Sequence, residues 1–588
     1  MEYTSETRIC QNCKKDFVIE PDDFSFYEKI GVPAPTFCHL CRAQRRFAYR
    51  NERKLFRTKD AFTGQDIFSL YPPEAGRKML SAAEWHGDSW DAGEYAREYD
   101  FSRNFFEQLF ELDTDVPALN LNVSNMVRSE YCANATELKD CYLVFASQIS
   151  ENCMYCTVTD QSRDCIDDSH TNQSERCYEC FWVLNCYRCK FTIMSVESGD
   201  LWFCRDCLGC NDCFGCTNLR KSSYCIFNKQ YTKEDYFNEL KKMNLGTHVG
   251  IESARIQARD FWHKQICKNH QGVKNVNSNG SYITNSKNVN DSFLIREGED
   301  LKYCQDLQVP STKDSMDVSM WGDKTELCYE TSGSGSNAYN VKFAWDCWPN
   351  VRDCEYSMHL RSCSDCFGCV GLKKKQYCIF NKQYTKEEYF ILKEKIIRQM
   401  NDMPFVDKAG RVYKYGEFFP IQFSPYGYNN TLVADYFPIT ESEAENQGYP
   451  WVELKRGEYE ITKKAGDLPD SINDVSDDIL KEVIECEKCG KAYRIMEAEL
   501  SFLKRENLPL PTLCVPCRHD RRISDRLKIE LYGRICMCAG ANDDKNLYKN
   551  TVSHVHGDSH CKEVIKTGYA PSQSDIVYCE KCYQQEVV

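Results

Sequence analysis

Residues 213–237 read CFGCTNLRKSSYCIFNKQYTKEDYF, and residues 366–390 read CFGCVGLKKKQYCIFNKQYTKEEYF, with 19 of 25 positions identical. Each copy begins in cysteines and ends in a helix signal. Thr232 precedes Asp235 by three positions and Thr385 precedes Glu388 likewise, the spacing of a capping box. The stretches that follow, YFNELKKM and YFILKEKIIRQM, carry apolar residues at helical spacing. Upstream of each copy the cysteines recur: Cys165, Cys186 and Cys207 are 21 apart, and Cys328, Cys347 and Cys366 are 19 apart. Such a recurrence, without helical periodicity, predicts a β-solenoid whose coils stack equivalent positions. Asn- and Asp-rich runs such as SNGSYITNSKNVNDS suit its corners, and cysteine is a small, soft filler for a narrow core. The expected fold is therefore mainly β. Two Cys-rich solenoid segments, 128–231 and 271–384, are each closed by an amphipathic helix (in 232–270 and 385–404) and flanked by small α+β zinc modules.

The same cysteines admit a sharper reading. CRDCLGCNDCFGC places Cys204, Cys207, Cys210, Cys213 and Cys216 at successive intervals of three. Cys207, Cys210, Cys213 and Cys216 are thus candidates for an extra zinc site or an iron–sulfur cluster. The second copy keeps only Cys363, Cys366 and Cys369, and no Cys-Pro ending follows, which disfavours the cluster.

The totals bound the function. The 588 residues hold 37 cysteines, many in CxxC pairs, and no apolar run approaches the ~20 residues that span a bilayer. The N-terminal MEYTSETRICQNC lacks the charged and apolar regions of a secretory signal, so thiolate ligands in a reducing cytoplasm are expected rather than disulfides. A net charge of −14 argues against general coating of nucleic acid.

The two ends repeat each other. Cys10, Cys13, Cys38 and Cys41 form CxxC-x24-CxxC, and Cys486, Cys489, Cys514 and Cys517 keep that spacing without a gap. Four thiolates in two close pairs suit tetrahedral zinc. Further on, Cys561, Cys579 and Cys582, with either Cys536 or Cys538, can close a second zinc site in the C-terminal copy; Asp60, Thr63, Ser81 and Glu84 stand at the equivalent N-terminal positions. Two to three zinc ions per chain are expected. The C-terminal copy also carries an insertion with SHVHGDSH, in which His554, His556 and His560 are possible extra ligands, although a solvated loop is the favoured reading.

An arginine stripe follows each second CxxC: Arg42, Arg45, Arg46 and Arg50, matched by Arg518, Arg521, Arg522 and Arg526. The spacing places them on one helical face. They can compensate the −2 charge of a four-thiolate zinc and, with Phe47, Tyr49 and Phe56 interleaved in the first copy, can contact nucleic-acid phosphates and bases; compensation is the favoured reading, and both can hold. Between the modules, a helix is expected around 102–112. Residues 405–480 read as an extended aromatic segment lying on a solenoid, then an acidic linker with a helix entering the C-terminal module.

DFSFYEKIGVPAPTFCHLCRAQRR and ELSFLKRENLPLPTLCVPCRHDRR resemble bacterial zinc ribbons of the treble-clef type. Together with RNERKLF, YDFSRNFFEQ, GEFFP, DLPDSI and IVYCEKCYQQEVV, they resemble large Cys-rich zinc-ribbon proteins of uncultivated small-genome bacteria of the candidate phyla radiation. The resemblance implies zinc and a bacterial cytoplasm and supplies no reaction. No phosphate-binding Gly loop, H-E-x-x-H or G-x-S-x-G occurs, so no catalytic residue is assigned. Three roles remain: a non-enzymatic scaffold binding protein or RNA, a nucleic-acid binder using the arginine helices, and a redox or metal-handling protein using the central cysteines.

Overall fold

The computed structural model describes all residues except 1–2, 336–339, 348, 454–456, 458, 541–547 and 588. The chain is mainly β and forms two compact units, each assembled from two separated stretches. One unit contains residues 1–122 and 272–453, the other residues 123–271 and 454–588. The N-terminal cysteine module thus shares a unit with the second solenoid, and the C-terminal module with the first.

The first solenoid is built from parallel ladders with a constant offset. Thr157 pairs Ser169, which pairs Phe181, and Gly199 pairs Asn211, which pairs Ser223. The same interval of 12 separates Cys141 from Ser129 and Thr159 from Ser147, whose hydroxyls accept from the main chain one coil further on. One coil is therefore much shorter than the cysteine recurrence suggests. The spacing of 21 is one coil plus nine further positions, which links neighbouring sides of successive coils rather than stacked positions. Within the coil a shorter period operates. From Asn122 to Phe227 every third residue tends to a positive φ, as at Asn152, Tyr155, Val158, Gln161 and Asp164. A repeat of three within each coil gives four short sides, turned at these left-handed positions.

One residue in three then points inward. Cys132, Ala135, Leu138, Cys141 and Val144 begin a buried column that continues through Cys204, Cys207, Cys210, Cys213 and Cys216. Four inward side chains per coil leave a narrow bore, which small residues fill and large ones would overpack. Cysteine and serine also serve carbonyls in the bore. The Cys204 Sγ–H lies 3.4 Å from the carbonyls of both Trp202 and Cys213. Ser150 Oγ donates to the Thr159 carbonyl at 2.8 Å and accepts from Ser162 N at 3.2 Å.

The second solenoid is less regular. Its offsets are 12 at Gly280↔Ser292, 14 at Gly298↔Thr312, 13 at Met316↔Tyr329 and 12 again at Arg352↔Ser364. The extra residues shift the inward phase, and Ile, Val and Leu share the core with cysteine.

Both solenoids close in the same way. The last parallel strand folds into an antiparallel pair, Cys225↔Gln230 in one and Cys378↔Gln383 in the other. Asn228 satisfies both main-chain groups of Thr217, and Asn381 does the same for Val370, so the final edge is sealed. Thr232 and Thr385 then cap the helices Lys233–Lys242 and Lys386–Asp402. Tyr236 and Tyr389 are buried beneath them.

The expected helix around 102–112 is Phe105–Asp115. Phe418 and Phe419 of the 405–453 segment are buried in the core of the second solenoid's unit. The helix expected to enter the C-terminal module is replaced by short 3-10 turns, Ala465–Asp467, Ile472–Asp474 and Asp477–Lys481. Pro469 interrupts the run, and Ser471 accepts from Asn473 N, a local bond that competes with helix formation. Among the described residues no helix is long and apolar enough to cross a membrane.

Candidate metal centres

Each terminal module presents its first cysteine pair from a hairpin and its second from a helix start. In the N-terminal copy the strands Glu6–Ile9 and Asp16–Ile19 pair antiparallel, and Cys38 is the N-cap of the helix His39–Phe47. In the C-terminal copy Ile484–Glu485 pairs Ala492–Tyr493, and Cys514 caps Val515–Ser524. The ligand atoms of Cys10, Cys13, Cys38 and Cys41 lie within 4.8 Å of one another, as do those of Cys486, Cys489, Cys514 and Cys517. In both, the N–H of the third cysteine donates to the first sulfur at 3.3 Å. Four convergent sulfurs and an N–H donor suit a tetrahedral divalent ion such as zinc.

A third four-cysteine set comprises Cys536, Cys561, Cys579 and Cys582. Of the two sequence candidates for its fourth position, Cys536 fills it. Cys579 N donates to Cys536 Sγ at 3.1 Å, repeating the N–H to sulfur contact. Cys538 joins a different set, with His554, His556 and Cys582. His554 is buried, against the expectation of a solvated loop, whereas His560 is exposed and outside both sets.

The N-terminal equivalent has the same scaffold with different chemistry. The hairpin Phe56–Lys59/Asp66–Ser69 matches Tyr532–Ile535/Val564–Thr567. Asp60, in the place of Cys536, accepts from Phe62 N, Thr63 N and Ser81 N at 2.8–3.0 Å. The Ser81 contact is the counterpart of Cys579 N to Cys536. Burial raises the Asp60 pKa, but the N–H groups of Ser81, Thr63 and Phe62 outweigh it and hold the carboxyl down at about 2.

Most of the stripe arginines are buried on solenoid carboxylates, with Arg521 and Arg526 partly exposed. Arg42, Arg45 and Arg46 are 1 % exposed or less. Asp317 of the second solenoid accepts from Arg42 at 2.7 Å and from Arg46 at 3.0 Å, and Arg45 lies between Glu330 at 2.9 Å and Glu417 at 3.1 Å. Arg50 pairs with Asp346. The C-terminal helix repeats the pattern on the first solenoid. Asp167 takes Arg518 at 2.7 Å and Arg522 at 3.1 Å, and Arg521 pairs with Glu179; Arg526 stays half-buried. Burial opposes the charge on Arg42 and Arg518, yet Asp317 and Asp167 raise their pKa values and keep them ionised. Solenoid carboxylates, which neither expectation named, are what the structure sets against seven of these eight arginines.

Sequence reasoning missed these carboxylates. Glu179 stands one coil after Asp167, and Glu330 one coil after Asp317, so the acids stack beneath one helix in each unit. A usable signal was present in Asp-x-Ser at 167–169 and 317–319. Ser169 and Ser319 both accept from the equivalent arginines Arg522 and Arg46.

Cys207, Cys210, Cys213 and Cys216 do not converge into a ligand set. They occupy successive sides of the coil, and their sulfurs face main-chain carbonyls such as Arg205, Leu208, Asn211 and Phe214. Cys165, Asp168 and Cys177 do converge in the same bore. Asp168 Oδ1 accepts from Cys180 N at 2.8 Å. None of the 37 cysteines is joined in a disulfide.

No family model matches the chain, nor does any curated protein or solved structure.

Proposed function

We propose that the protein is a zinc-binding, non-enzymatic scaffold in which treble-clef modules clamp two solenoid platforms. The observation that carries this reading is the repeated burial of the metal-module arginines on stacked solenoid carboxylates, Asp167/Glu179 and Asp317/Glu330. Each cysteine set offers four protein ligands, which fills a tetrahedral ion and leaves no open coordination position for chemistry. The ion would order the knuckle and helix start; the helix then seats on the solenoid. The platforms would serve a protein or RNA partner through surfaces other than the arginine helices. The resemblance to Cys-rich zinc-ribbon proteins of small-genome bacteria supports a cytoplasmic setting.

Retention on immobilised single-stranded RNA and DNA at low salt tests this against the nucleic-acid reading. Because Arg45 and Arg521 sit on solenoid carboxylates, the scaffold reading expects Arg45→Glu/Arg521→Glu to unseat both helices and loosen the fold, with no selective loss of nucleic-acid retention from a folded protein. Steeply salt-dependent retention that this variant loses while staying folded by circular dichroism would sink it.

A further inference from the structure

The C-terminal module contains two four-ligand sets that share a residue. Cys536, Cys561, Cys579 and Cys582 form one; Cys538, His554, His556 and Cys582 form the other, with all ligand atoms of each set within 4.8 Å of one another. We propose that this module holds a dinuclear metal centre in which the Cys582 thiolate bridges two divalent ions. The proposal rests on the metal-binding reading above and extends it to a site with a different nuclearity.

The two imidazoles are prepared as ligands from outside. His554 Nε2 lies 2.8 Å from the Glu586 carboxylate, an acceptor, so that nitrogen carries the proton and Nδ1 turns its lone pair toward Cys538 Sγ at 3.2 Å. His556 Nδ1 lies 2.7 Å from the Ser559 carbonyl, which fixes the opposite tautomer and leaves the Nε2 lone pair facing Cys582 Sγ at 3.4 Å. A carboxylate or carbonyl behind a ligating histidine is the usual support of a metal site. Cys538 also accepts from Asn550 Nδ2 at 3.2 Å, and Tyr578 OH orients that amide by donating to its Oδ1 at 2.7 Å.

Charge and chain organisation agree. Five thiolates around two divalent ions leave a formal charge of −1, less than the −2 of a single four-thiolate site, so sharing Cys582 reduces the charge that must be buried. His554 and His556 lie in the insertion that the N-terminal copy lacks, and Phe62 stands there in the place of Cys538. The insertion therefore brings its own donors to a knuckle whose other copy is closed by Asp60 alone.

Metal analysis of the full chain, followed by ¹¹³Cd NMR of the cadmium-exchanged protein, tests the bridge. Four ions per chain are expected, one for each complete ligand set. Two of the four cadmium resonances should share a scalar coupling carried through the Cys582 sulfur. Cys538→Ser with His556→Ala should lower the content to three and abolish the coupling, while the other two resonances persist. Three ions in the wild type, or four without a coupled pair, would overturn the bridge and leave the metal-clamp reading standing. No bound metal at all would overturn both. The coupling is read on the wild type, so a variant that fails to fold does not shelter the proposal.

Discussion

The two cysteine modules solve one structural problem by different means. In the C-terminal copy the second hairpin is tied to the following helix by Cys536, Cys561, Cys579 and Cys582, a set suited to an ion. In the N-terminal copy one carboxylate, Asp60, gathers three backbone N–H groups from the corresponding turns. The shared contact, an N–H at position 81 or 579 aimed at position 60 or 536, shows what the knuckle requires: a negative acceptor at that point. In one copy the acceptor is a cysteine belonging to a set that could hold an ion, and in the other it is an aspartate without further ligands.

The largest difference between the copies should appear on removal of metal. Structural zinc contributes on the order of 10–16 kcal/mol of folding free energy per site in small modules. A strong chelator should therefore strip amide protection from the hairpin Tyr532–Ile535/Val564–Thr567 while Phe56–Lys59/Asp66–Ser69 retains most of its own. Hydrogen exchange read by mass spectrometry resolves the two. Equal loss in both hairpins would mean that Asp60 does not hold its knuckle independently of the neighbouring Cys10 set.

The docking surfaces differ by a smaller margin. Arg45 is enclosed by Glu330 and Glu417, whereas its equivalent Arg521 meets Glu179 with its side chain 25 % exposed. Removing one partner of a buried ion pair costs about 3–5 kcal/mol because the remaining charge is stranded. Arg45→Ala should approach that range, and Arg521→Ala should cost about 1–2 kcal/mol, since Arg521 is itself partly solvated and Arg255, 4.0 Å from Glu179, still faces the buried carboxylate. The check is the loss of exchange protection in the helices His39–Phe47 and Val515–Ser524, each measured in its own variant. A larger loss for Arg521→Ala would reverse the comparison.

What could be read from the sequence follows from the range of the interactions. The terminal sets Cys10–Cys41 and Cys486–Cys517 are local patterns whose spacing suits a single ion, and their convergence was legible. So were the capped helices after Thr232 and Thr385, because a cap is settled within four residues. The coil length was not. Inward positions recur every third residue, so cysteines fall at many multiples of three: Cys141, Cys153, Cys165, Cys177 and Cys189 keep the true interval of 12, but the equally regular spacing of 21 was read as the coil. The arginine partners were also hidden, because Arg42 and Asp317 are 275 residues apart and neither stripe announces what it will meet. The second histidine-containing set was obscured by the exposed look of SHVHGDSH; only folding shows that Glu586 covers His554.

The smallest effect is expected in acid. The Asp60 carboxyl is held at about 2, below the ~3.9 of an unfolded aspartate. A depressed carboxylate stabilises the fold above its unfolded pKa, and that contribution disappears as the pH falls from about 4 toward about 2. Asp60→Asn removes the titration and turns one acceptor oxygen into a donor amide facing N–H groups, at a cost of about 1–3 kcal/mol near neutral pH. The gap in thermal midpoint between the two proteins should therefore be widest above about pH 5 and narrow toward about pH 2. Acid would also release any metal held by the cysteines, but it would do so in both proteins, so the difference between them isolates the aspartate. A gap that stays constant across that window would show that the three N–H groups do not depend on the Asp60 charge, and the parallel drawn with the Cys536 thiolate would fail.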